Sequence, residues 1–104
     1  MKKTIYISLP ITGRSLVEVQ KEAQRIKEAL EERGYATLSP LDVYAGTHPT
    51  YEDYMAYDIR ALLMCDGVCF AHDWHQSKGC RLEHSAAEIY QKQILTQTKE
   101  GDIL

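Results

Sequence analysis

Residues 15–33, SLVEVQKEAQRIKEALEER, place Leu16, Val19, Ala23, Ile26, Ala29 and Leu30 on one helical face, with charged and amide side chains around the rest. Gly34 follows as a stop. On either side lie short β-branched or aromatic runs, residues 3–8 and 35–38, closed by Leu9-Pro10 and Ser39-Pro40. This change of period, from strand to helix and back, is the strongest constraint in the chain. Strands joined through a helix lie parallel, and such crossovers are almost always right-handed.

The alternation continues. Residues 41–50 hold turn formers without a period, and Thr50 with Asp53 predicts the capped start of a helix over residues 51–64. GVCFA, residues 67–71, is a continuous apolar run of the kind buried in a parallel sheet. A polar loop, HDWHQSKG, precedes a helix in which Leu82, Ala86, Ala87, Ile89 and Tyr90 supply the expected packing stripe. Residues 93–96 read as a last strand and the remaining tail as frayed. The sum predicts an α/β fold: one flavodoxin- or Rossmann-like three-layer domain over residues 1–104. Its parallel sheet of about four strands has the order 2-1-3-4, with helices on both faces.

Composition excludes several classes. The 104 residues carry a net charge of −3 with no Lys/Arg cluster, which argues against a nucleic-acid polymer as partner. No apolar run approaches the roughly 20 residues of a membrane span. Three cysteines, Cys65, Cys69 and Cys80, lack framework or zinc spacing and suit buried thiols in a reducing cytoplasm. His72, Asp73, His75, Cys80 and His84 likewise match no compact metal motif, so neither metal nor cofactor is expected. A domain this small favours a homo-oligomer, a dimer or larger.

In a sheet of order 2-1-3-4 the ligand crevice lies beyond the carboxyl ends of strands 1 and 3. The loops at those ends, residues 9–14 and 72–79, hold the least ordinary residues. Glu83 follows on the packing face of a helix near its start. It is either a carboxylate favoured by the helix dipole or one lining a cavity, where burial tunes it for nucleophilic or base chemistry. Asp58 is either solvated or a second carboxylate over the strand ends. The turn from Pro10 to Arg14 is a simple connection or an anion- or sugar-binding mouth, in which Arg14 would meet a 5′-phosphate. Trp74 either stacks on a ligand ring or anchors its loop.

Three segments together carry a resemblance: YISLPITG (6–13), CDGV (65–68) with Asp58 eight residues before Asp66, and WHQSKGCRLE (74–83). They resemble the nucleoside 2-deoxyribosyltransferase-like superfamily, and within it a family of small domains common in bacteria and phages. The resemblance implies that Glu83 is the nucleophile on a deoxyribosyl anomeric carbon and that Asp58 is the active-site acid, with Asp73 as alternative. It matches Tyr6 and the turn Pro10, Ile11, Thr12 and Gly13 to the pocket-lining segment and Ser77 to a base-contacting position. Arg14, Asp73, Trp74 and Gly79 are further substrate-contact candidates from their place in or beside the crevice loops. Leu9 stands where a glycine is common, and the chain ends soon after its last strand. The expectation is therefore a deoxyribosyl hydrolase or transferase acting on a nucleoside or nucleotide; the alternative is a nucleotide-binding or sensing domain using the same crevice.

Overall fold

The computed structural model describes residues 2–104. Strand β1 (Thr4–Ser8) leads to helix α1 (Leu16–Glu32) and strand β2 (Ala36–Leu38); helix α2 (Tyr51–Met64) precedes strand β3 (Gly67–Phe70), and helix α3 (Lys78–Ile89) precedes strand β4 (Gln93–Thr96). All pairings are parallel and the order is β2-β1-β3-β4. The α/β fold and strand order are those the sequence predicts. Among the described residues no helix is long and apolar enough to cross a membrane.

Local chemistry explains the element ends. Ser15 caps α1 by accepting from the Glu18 amide. Thr50 and Asp53 form the reciprocal capping box that their spacing predicts. Gly67 opens β3 where a Cβ would lie 2.8 Å from the Gln93 carbonyl oxygen and 3.0 Å from Ile5 Cδ1. Only a glycine lets the two neighbouring strands close on that point.

Strand parity divides the interior. Ile5, Ile7 and Leu9 pack with Val19, Ile26 and Leu30 of α1 on one face. Tyr6, Val68 and Phe70 face Leu62 of α2 and Ala87 of α3 on the other. The tail does not fray. Thr96 and Leu104 exchange backbone hydrogen bonds at 3.1 and 2.9 Å, and Ile103 joins the α1-side core while its carbonyl accepts from Arg33 Nη1 at 2.8 Å. A single well-placed isoleucine supplies the apolar burial that holds the segment down.

The α3 stripe also differs from expectation. Leu82 is 52% exposed and Ile89 74%, whereas Cys80, Glu83 and Ala87 form the buried face. The helix turns its small and polar residues inward because α2 lies alongside and leaves no room for larger ones. At Gly79 an added Cβ would stand 3.2 Å from Met55 Sδ and 3.5 Å from the Tyr51 hydroxyl.

Candidate functional site

A cavity of about 940 Å³ opens beyond the carboxyl ends of the strands, at the point where strand order reverses between β1 and β3. The segment after β1 contributes Pro10, Ile11 and Thr12, and the turn after β2 contributes Pro40 and Leu41. Helix α2 presents Tyr51, Tyr54, Met55 and Asp58, residues one helical turn apart on a single face. The fourth side is the first turns of α3, from Ser77 to Glu83.

Glu83 is only 5% exposed. The Tyr6 hydroxyl donates to its Oε2 at 2.8 Å and the Ser8 hydroxyl to its Oε1 at 2.6 Å. Residues two apart on β1 point to the same face, so strand parity aims both hydroxyls at one carboxylate. Burial pushes the Glu83 carboxyl up to about 7, the nearby Asp58 charge adds to the rise, and the Ser8 and Tyr6 donors oppose it. Burial together with the Glu83 charge drives the Tyr6 phenol far above its ordinary range, which keeps it a neutral donor.

Asp58 is 7% exposed, and burial raises it to about 6. Its Oδ1 is buried without a hydrogen-bond partner among the described residues. A buried carboxyl oxygen left unpaired costs of order 1–3 kcal/mol, which favours the protonated form of Asp58. The Cys80 thiol, one turn before Glu83, lines the cavity against the Ser8 and Ser77 hydroxyls, and burial raises it too. These groups can hold and move a proton beside a ligand while a second carboxylate contacts it directly.

Residues 3–96 match the model of a family described as a domain of unknown function, DUF4406. The chain belongs to that family. Among curated proteins no relative matches.

The structure sorts the residues that the sequence singles out in this DUF4406 chain. Glu83, Asp58, Pro10, Ile11, Thr12, Ser77 and Gly79 line the cavity, and Tyr6 reaches it through Glu83. Ser77 also caps α3, accepting from the Cys80 amide at 3.2 Å. Arg14, Gly13, Asp73 and Trp74 are not among the lining residues. Arg14 is held by Glu22 at 2.9 Å and by the Pro10 carbonyl at 3.0 Å. Trp74 stacks on His84 with ring centroids 4.2 Å apart and tilts against Phe70, which makes it a loop anchor. Gly13, at φ 78°, forms the turn before α1.

Asp73 lies on the α1 side, where Glu22, His72 and Asp73 bring one donor atom each within 4.8 Å of one another. The Arg14 guanidinium, paired with Glu22, already supplies positive charge beside them. Sequence reasoning weighed Cys80 only as a metal ligand and missed Ser8 and Lys78. Signals for two of them were present: Ser8 shares a strand face with Tyr6, and Cys80 precedes Glu83 by one helical turn.

Proposed function

We propose that this chain cleaves the N-glycosidic bond of a nucleoside or nucleotide, with Glu83 as nucleophile and Asp58 as the acid that assists the leaving base. The likeness of its motifs to the nucleoside 2-deoxyribosyltransferase-like superfamily suggests the substrate class. The observation that carries the reading is the buried Glu83 carboxylate, held at both oxygens by hydroxyls and facing a cavity it shares with an unpartnered Asp58.

In the first step a Glu83 oxygen bonds to the anomeric carbon as the carbon–nitrogen bond breaks. The bonding pair leaves on the base nitrogen, which takes the Asp58 proton. Water then attacks the same carbon, Asp58 accepts its proton, and the sugar departs as Glu83 regains its charge. The two hydrogen bonds hold the carboxylate in one orientation, which lowers the entropic part of the barrier. Burial of Glu83 beside apolar lining residues lowers the local dielectric and so strengthens its attraction to the charged transition state.

Incubation with a panel of nucleosides, deoxynucleosides and their 5′-monophosphates, followed by chromatography, tests the reading. Release of free base by the parent and none by Glu83→Gln is the expected result. Tight binding of an intact nucleotide with no base released would replace cleavage by a sensing role.

A further inference from the structure

We infer that Ser8 is a positioning residue for this reaction: its hydroxyl fixes the Oε1 end of Glu83 and favours the charged carboxylate in a buried position. The inference rests on the cleavage reading for its place in turnover, and on geometry for the Ser8–Glu83 contact itself. Ser8 is fully buried at the end of β1, in register with Phe70 of β3, and its carbonyl accepts from the Ala71 amide at 2.9 Å, so its Cα has little freedom. Its hydroxyl lies 2.6 Å from Oε1, within the 2.5–2.7 Å range of hydroxyl-to-carboxylate bonds in which the acceptor carries charge. The Tyr6 hydroxyl makes the matching contact with Oε2 at 2.8 Å.

A hydroxyl has one proton to give. With Glu83 ionised, Ser8 commits that proton to the carboxylate; the nearby Cys80 thiol, raised by burial, stays neutral and competes weakly for it. Once Glu83 is protonated or bonded to a sugar carbon, Oε1 is a poorer acceptor and that donation weakens. Ser8 therefore favours the charged carboxylate over both neutral forms. Burial opposes ionisation of Glu83, and the Ser8 bond offsets part of that opposition. Neither the cavity lining nor any charged side chain supplies the same effect at Oε1. The basic residue lining the cavity, Lys78, is solvent-exposed at the start of α3, a turn and a half before Glu83.

The test compares the parent with Ser8→Ala, Ser8→Thr and Tyr6→Phe by two readouts. The first is the Glu83 titration midpoint, followed by carbon-detected NMR of the labelled side-chain carboxyl, which needs no turnover. Ser8→Ala should raise the midpoint by about one pH unit and Ser8→Thr should restore it. The second is the pH profile of base release. Ser8→Ala should lower kcat/KM about tenfold at pH 6 and no more than about twofold at pH 8, with the loss in kcat and KM unchanged. A uniform loss at every pH, or an unmoved midpoint in a folded Ser8→Ala protein, overturns the inference. A raised midpoint in a protein that releases no base from any substrate leaves Ser8 as the residue that sets the Glu83 charge and removes the cleavage reading instead.

Discussion

The two faces of the sheet are built from alternate residues of the same strands, yet they serve opposite ends. On the α1 side the interior is aliphatic: Ile5, Ile7 and Leu9 of β1 and its continuation meet Val19, Ile26 and Leu30. On the α2/α3 side the apolar cluster is smaller, and Ser8, Asp58 and Glu83 are buried beside it. One face stabilises the fold, and the other spends part of that stability to hold two carboxyls away from water. The division explains how a chain of 104 residues keeps a wide cavity without losing its core.

The largest effect should come from breaking the polar face at its centre. Glu83→Gln should reduce base release at least about a thousandfold, on the order of 4 kcal/mol of transition-state stabilisation, measured by single-turnover chromatography. The same change should stabilise the fold. Because burial raises the folded-state value of Glu83 from about 4.5 to about 7, its contribution to stability is full below the unfolded value and fades as pH rises through 7. That difference is on the order of 3 kcal/mol between acid and alkaline solution. Glu83→Gln should therefore raise Tm by roughly 5 °C or more at pH 8 and leave it almost unchanged at pH 5. A lower Tm at pH 8 would mean that the hydroxyl clamp outweighs the burial cost.

The aliphatic face should respond in the opposite sense. Leu30 is fully buried against β1, so Leu30→Ala should cost about 2–5 kcal/mol by urea denaturation, with kcat/KM of the folded fraction unchanged. Loss of activity in protein that remains folded would show that the two faces are coupled through β1.

The contrast between faces was only half legible in the sequence. The aliphatic face followed from period alone, because α1 runs 17 residues and its apolar positions repeat four times. Glu83 and Asp58 stood out as carboxylates at helix positions where a packed residue belongs. The packing face of α3 did not, since over 12 residues and the Tyr90 that follows, the larger side chains Leu82, Ile89 and Tyr90 outweigh Cys80 and Ala87 in any hydrophobic count. Only the closeness of α2 decides which set turns inward. The Ser8 contact spans 75 residues of sequence, a pairing created only when α3 packs on the assembled sheet. The docked tail rests on one isoleucine in a polar segment, too sparse a signal to read as order.

A smaller effect should appear in the pH dependence, which tests whether the two carboxyls act as a pair. Cleavage needs Glu83 ionised, a form gained as pH rises through about 7, and Asp58 protonated, a form lost as pH rises through about 6. The expected profile of kcat/KM is a bell centred near pH 6.5, because the productive arrangement is a minor form of the singly protonated pair. Asp58→Asn should abolish the alkaline limb and leave a single rise with pH governed by Glu83 alone. A profile flat from pH 5 to 8 would remove both assignments.

The smallest effect is expected at Arg14, whose place in the sequence at the mouth of α1 suggests a phosphate contact. In the structure its guanidinium is committed to Glu22 and the Pro10 carbonyl, and it does not line the cavity. An anion would have to displace a carboxylate at 2.9 Å before reaching it. Arg14→Ala should therefore cost about 1 kcal/mol or less in stability, as part-exposed ion pairs do. It should change kcat/KM by less than about threefold, and by the same factor for a nucleoside and its 5′-monophosphate. The comparison isolates the phosphate because the two substrates share every other contact. A loss confined to the monophosphate would mean that Glu22 releases Arg14 when substrate binds, and would extend the working face of the molecule across β1 to the α1 side.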